Sequence, residues 1–198
     1  MRASIQFIGA LCFVFALGAM NGCGTTKPSR FYALTPVPEA LTSRTSDGPS
    51  IGIGPVRVAE YLDRSHIVRD MGSNELELDD FNRWIEPLDG NITRVLGLNL
   101  SAMVPTGELH RFPWRQATAI DFQVVVNIIR FHANTDNEIL LTASWSLLDG
   151  RGQTLVPGNL TVLTVQAADA EYTSLAIAMS EALARLSREI AEAIQAGA

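Results

Sequence analysis

Three histidines, His66, His110 and His132, stand far apart in the chain, and none has a second ligand at helix spacing. There is no His-Glu-x-x-His and no cysteine pair, so no metal site is expected. Each histidine reads instead as a surface or packing residue. Glu75, Glu77, Asp79 and Asp80 form a carboxylate cluster that could attract calcium, but they lack the glycine and the ligand spacing of an EF-hand loop. A solvated strand edge accounts for them more simply. Gly52-Ile53-Gly54 could open a phosphate-cradling turn, yet Arg57 stands where the dinucleotide fingerprint needs its third glycine. No lysine follows a glycine, as a phosphate loop requires. A serine nucleophile on an elbow between strand and helix is not expected either. Asp63, Arg64 and Arg69 could form an ion pair that fixes a loop. No acid–base constellation emerges, so the expectation is a protein that is not an enzyme, with no metal and no cofactor.

The one residue with a definite chemistry is Cys23. Ile5 to Ala19 runs without a charge behind Arg2, which suits the apolar core of an export signal and is short for a membrane span of about 20 residues. Met20-Asn21-Gly22-Cys23 follows, and a small residue before a cysteine at this point resembles the bacterial lipobox. Cleavage before Cys23 would expose it for acylation. An uncleaved signal anchor with an incidental thiol is the other reading. The Gly, Thr, Ser and Pro residues after Cys23 favour the first, because they read as a flexible tether. Several acyl chains at about 0.8 kcal/mol per buried methylene would hold the protein to a membrane durably. Gly24, where an aspartate would retain the protein at the inner membrane, points to the outer membrane.

Composition agrees with an anchored, folded domain. The chain has 198 residues, 47% hydrophobic and 18% charged, with a formal net charge of −6. That balance disfavours nucleic acid as a partner. Loss of residues 1–22 would remove Arg2 and make the remainder one unit more acidic. It would also remove Cys12, leaving no free thiol once Cys23 is acylated.

The elements that must position everything else follow from hydrophobic period. Phe31–Leu34 could be a first strand. Ser50–Val58 is β-branched and bounded by turn formers, with Gly52 and Gly54 marking a bend or a close backbone contact. His66–Asp70 and Asn74–Leu78 read as short strands around a turn at Met71-Gly72-Ser73, the second half-solvated. Leu88, Ile92, Val95, Leu96, Leu100 and Met103 fall on one face of a helix within Trp84–Val104. Phe122–Ile129 reads as a strand with both faces largely covered. Ile139–Leu147 and Leu160–Val165 complete a meander. Leu175, Met179, Leu183, Leu186, Ile190 and Ile194 stripe a terminal helix over Glu171–Ala196. The fold expected is α+β, a two-layer sandwich of a mainly antiparallel sheet with two amphipathic helices on one face. The domain organisation expected is a lipoprotein signal over 1–22, a lipidated N-terminus and tether over 23–49, and a periplasmic α+β auxiliary domain over 50–198.

Ile51–Val58, Glu60-Tyr61-Leu62-Asp63-Arg64, Ile67-Val68-Arg69, Asn74–Leu78 and Arg83-Trp84-Ile85-Glu86-Pro87-Leu88 resemble the signature of the PqiC family of auxiliary transport lipoproteins. Phe31–Leu34, Leu186–Ile190 and the lipobox fit the same pattern. The resemblance implies an outer-membrane lipoprotein facing the periplasm, partnered with an MCE-domain protein in a lipid-transport system that supports membrane integrity. It implies no catalytic residue. Within the signature, Gly52, Gly54, Pro55 and Pro87 set backbone shape. Tyr61, Leu62, Asp63, Arg64, Arg69 and Trp84 are the candidate partner interface, enriched in aromatic and arginine anchors. For Trp84 the competing reading is core packing, and for Tyr61–Arg64 a structural turn. A ring-shaped homo-oligomer would suit a tubular partner. The alternatives are a periplasmic carrier holding lipid between sheet and helices, and a lipoprotein regulator of a cell-wall enzyme.

Overall fold

The computed structural model of the chain describes residues 27–38, 48–114 and 119–197. Cys12, Cys23 and the signal segment lie outside the described residues. In chain order the elements are β1 (Arg30–Tyr32), β2 (Ile51–Val58), β3 (His66–Gly72), β4 (Glu75–Trp84), α1 (Leu88–Met103), β5 (Leu109–Arg111), β6 (Phe122–Ala133), β7 (Glu138–Asp149), β8 (Thr154–Gln166) and α2 (Tyr172–Gly197).

The protein is α+β, with two helices and one mixed sheet. The expectation of a mainly antiparallel sheet does not hold: of the seven strand pairings, β1–β4, β2–β5, β2–β6 and β3–β6 are parallel. The meander β6–β7–β8 is antiparallel, as its short polar turns require. What the turns do not specify is the arrival of β2 and β3 beside β6 from far away in sequence. Both run parallel to it, and β3 meets it only where Arg69 registers with Ala133. β5, three residues long, carries too little periodicity to be recognised in the sequence.

Both helices pack on the sheet and on each other, α1 against β2 and β5, α2 against β6, β7 and β8. Leu88, Ile92, Val95, Leu96 and Leu100 of α1 are buried, as is the whole α2 stripe. Gly97 has a positional reason inside α1, because a Cβ there would stand 2.6 Å from Leu109 Cδ2 of β5. Helices cover one face of the meander only. Val124, Val126 and Ile128 therefore point into the core, whereas Ile129 on β6 and Leu160 and Val162 on β8 are exposed. The expectation that β6 is covered on both faces fails for that reason, and a register shift between Ile128 and Arg130 then turns Phe131 inward. The β3–β4 hairpin projects past the helices, leaving Leu76 and Leu78 both exposed. Ser73 and Asn74 at its tip both have positive φ, the two-residue turn that matches strand twist.

Buried polar groups tie the layers. Trp145 Nε1 donates to Thr161 Oγ1 at 3.0 Å, and that hydroxyl donates to Glu189 Oε2 at 2.5 Å. Asn99 Nδ2 donates to Ser187 Oγ at 3.0 Å between the helices. The N-terminal arm is fastened to the same seam. Leu34 is buried, Thr35 N donates to Ser180 Oγ at 3.1 Å and Val37 N to Asn99 Oδ1 at 2.8 Å. The stretch expected to be a tether with one strand is thus docked from Arg30 through Val37.

Candidate partner-docking site

The strand β2 ends at Val58 and the chain turns sharply on itself. Leu62 N donates to Ala59 O at 2.8 Å, Asp63 N to Glu60 O at 3.2 Å and Arg64 N to Leu62 O at 2.8 Å. Leu62 is buried and pegs the turn to the core, while Asp63, Arg64 and Ser65 remain exposed. The turn is sutured to the end of β4, where Trp84 N donates to Ser65 O at 2.6 Å. Trp84 itself is 4% exposed, so core packing is its main role. Beyond it, Pro87 begins α1: its fixed φ ends the strand, and its carbonyl accepts from Asn91 N at 2.9 Å. Asp63, Arg64, Ser65, Trp84, Ile85, Glu86 and Pro87 line one hollow of about 260 Å³.

Signature residues from two distant segments therefore share one surface, which the sequence could not say. Arg69 does not join it. Its Nη2 donates to Asn137 Oδ1 at 3.1 Å near the far end of β6, and among the described residues Asp63 forms no ion pair with Arg64 or Arg69. Tyr61 is half-buried, its ring edge-on to His132 with centroids 6.0 Å apart and its hydroxyl 3.4 Å from Ile129 O. Burial raises its pKa, and it serves the turn more than the surface. Arg94, which sequence reasoning passed over, holds the hollow's rim. Its Nη2 donates to Glu86 Oε1 at 2.8 Å, to Asn91 Oδ1 at 2.8 Å and to Leu34 O at 3.1 Å. Nothing in its spacing signals that role, because the partners come from the arm as well as the helix.

The remaining signature positions lie on the other side of α1's first turns. Gly54 has φ +118°, and a Cβ there would meet Phe112 Cβ at 2.7 Å. A Cβ on Gly52 would stand 2.9 Å from Ile120 Cδ1. The β2–β6 register shifts between Ile53 and Val56, at Gly54-Pro55, so the glycines do mark a bend and a close approach. Pro55 lines an open groove of about 480 Å³ with Asp89, Thr93, Arg111 and Phe112.

Two of the three histidines stand beside carboxylates. His66 Nε2 is 3.4 Å from Asp80 Oδ1, and His110 Nε2 is 3.3 Å from Glu108 Oε2. No cluster of metal-ligating side chains occurs among the described residues. The letters Gly-x-Ser-x-Gly do occur, at Gly48-Pro49-Ser50-Ile51-Gly52, against the expectation that no such elbow exists. Ser50, however, enters a strand instead of leaving one for a helix. Its hydroxyl is tied to Asp121 Oδ2 at 2.9 Å and Ala119 O at 3.1 Å, which closes the entry to β2. No described helix is long and apolar enough to cross a membrane.

Comparison with known proteins adds sequence to this geometry. A family model described as the ABC-type transport auxiliary lipoprotein component matches residues 32–191. The intermembrane transport lipoprotein PqiC of Escherichia coli (strain K12) is 25% identical over 136 residues, which is 68% of this chain and 71% of that protein. PqiC of Shigella flexneri matches to the same extent. Among solved structures, an uncharacterized protein superposes with a TM-score of 0.69 at 20% identity, covering 85% of this chain and 99% of that one. A protein from Xanthomonas campestris does so at 0.64 and 13% identity, covering 82% and 93%. At such identities the two structures speak for the fold alone.

Proposed function

This chain belongs to the family of ABC-type transport auxiliary lipoprotein components, and from that membership we propose that it is a non-catalytic subunit of an MCE-type intermembrane lipid transport system. In this reading acylated Cys23 anchors it in the outer membrane on the periplasmic side, and the folded domain docks the MCE-domain protein there, supporting membrane integrity. The observation that carries the docking role is the convergence of Asp63, Arg64 and Trp84–Pro87 on one rigid hollow. At about 260 Å³ it is smaller than the roughly 300–1,000 Å³ usual for ligand clefts. It suits one anchoring side chain of a partner protein, with Arg64 and Asp63 at its mouth. The filled seam between helices and sheet, where Val95, Leu96, Leu183, Leu186 and Ile190 are fully buried, favours docking over carriage of a lipid in that space.

Purification of the acylated protein from detergent-solubilised envelope tests the reading. The MCE-domain protein is expected to co-purify, and Arg64→Glu is expected to reduce its capture about tenfold or more, the scale of a central interface arginine. Absence of any MCE-domain protein from an intact wild-type preparation would overturn it. Lipid at one equivalent in the mass spectrum of the same preparation would favour a carrier instead.

A further inference from the structure

Lys27 and Arg30 form no ion pair among the described residues, although two carboxylates share their hollow. In β1, Arg30 registers with Asn82 of β4 and Tyr32 with Trp84, so all four side chains stand on the helix side of the sheet. There the ring of Tyr32 lies 6.2 Å from that of Tyr172, the first residue of α2, and its hydroxyl donates to Asn82 Oδ1 at 2.9 Å. β4 slips out of register with β3 between His66 and Val68. Asp79 Oδ1 folds the extra residues, accepting from Phe81 N at 2.7 Å and from Asn82 N at 3.1 Å. The result is an open hollow of about 370 Å³ whose lining includes Lys27, Arg30, Asp79, Phe81, Glu171 and Tyr172. That volume falls within the roughly 300–1,000 Å³ of ligand clefts, unlike the smaller hollow assigned to docking.

The charges of this lining balance, two basic against two acidic. Burial raises the carboxyl pKa of Asp79, but its bonds from Phe81 and Asn82 and the charge of Lys27 outweigh that and hold it below its ordinary value. Tyr172 is pushed up to about 12, by burial first and then by Asp79 and Glu77, with Arg69 opposing, so its hydroxyl stays a neutral donor. A simple anion would meet the carboxylates and a simple cation the basic pair, so neither gains much. A compact ligand with one charge of each sign gains at both ends. Phosphate suits Lys27 and Arg30, and a primary ammonium, with three N–H donors, suits Asp79 and Glu171. Lys27 is four residues beyond Cys23, at most about 14 Å of extended chain, so acylation of Cys23 would hold the hollow among phospholipid headgroups. We propose that the hollow clamps the phosphoethanolamine headgroup of a membrane phospholipid, its phosphate on Lys27 and Arg30, its ammonium on Asp79 and Glu171, and its acyl chains left in the bilayer. The lining is too polar for acyl chains, which distinguishes this clamp from carriage of a whole lipid. Its place at the bilayer rests on the proposed acylation of Cys23, whereas its chemistry does not.

The test uses the full-length acylated protein in neutral detergent, titrated with glycerophosphoethanolamine and followed by saturation-transfer NMR. Binding at about millimolar concentration is expected, since each charge pair is partly exposed. Glycerophosphocholine, glycerol phosphate and ethanolamine should each bind about fivefold more weakly, the loss of one such pair. Arg30 and Glu171 are exposed, so their substitution leaves the fold intact. Arg30→Gln should weaken glycerol phosphate and spare ethanolamine, and Glu171→Gln should do the reverse. In vesicles of equimolar phosphatidylethanolamine and phosphatidylcholine, a benzophenone side chain in place of Phe81 should crosslink the former in several-fold excess. Absence of glycerophosphoethanolamine binding overturns the proposal, and glycerol phosphate bound as tightly overturns the zwitterionic site. Soluble binding with crosslinks in equal proportion overturns the lipid as source and leaves a free phosphoethanolamine compound. Binding by protein without acyl mass at Cys23 overturns the anchor and the place at the bilayer, but not the site.

Discussion

His66 and His110 are partly buried beside carboxylates, whereas His132 is fully buried; His110 Nε2 and His132 Nδ1 both lack a hydrogen-bond partner. Burial lowers the pKa of His132 from 6.5, and the weaker influences of the Ala133 backbone and Asp70 in the opposite direction do not offset it. Native His132 is therefore neutral where the unfolded chain still binds a proton. Protein stability is expected to fall as pH drops below 6.5, because proton uptake then favours the unfolded state. Thermal melts from about pH 8 to about pH 5 should show that slope, and His132→Gln should flatten it. The sequence offered three equivalent histidines, and only the bulge at the end of β6 distinguishes this one. Trp84 teaches the same lesson. Its place in a signature is legible, but a tryptophan in a strand serves a core and an interface equally well until the covering layer is known.

At the scale of elements, the strongest periodicities gave the most secure expectations. The α2 stripe and the alternation of β6 and β7 reappear residue for residue, because burial of those positions is what makes each element stable. Elements held by distant partners were illegible. β5 exists because Gly97 lets it approach α1, and the arm is ordered because Asn99 and Ser180 accept its amides. Asn99→Ala should therefore cost about 1–3 kcal/mol in chemical denaturation, by leaving Val37 N–H without its acceptor and removing the donor to Ser187 Oγ, which keeps only its bond to Leu183 O. Amide exchange at Val37 should accelerate first, while exchange in β6 follows global unfolding. Unchanged protection at Val37 would mean that the arm is held by Leu34 alone.

Over the whole molecule, the proposed anchor, the arm and the proposed docking surface would form one mechanical series. The acyl group would hold Cys23, the arm would transmit that restraint through Leu34, and Arg94 would link the arm to Glu86 at the hollow. On this account Cys23→Ser leaves an unprocessed precursor, and fractionation of the envelope should find it outside the outer membrane. Normal outer-membrane recovery of that variant would remove the lipoprotein premise.

Sequence by itself determined the two helices, the meander and the family signature, and it carries a pattern resembling a signal and lipobox. These depend on local period and on spacing along the chain. Tertiary structure alone decided that the sheet is mixed, that one face of the meander is bare, and that Asp63 and Arg64 meet Trp84 to Pro87 while Arg69 goes elsewhere. The reason is physical: parallel neighbours such as β2 and β6 are chosen by burial between segments some seventy residues apart, and no local pattern encodes which distant surface will cover them.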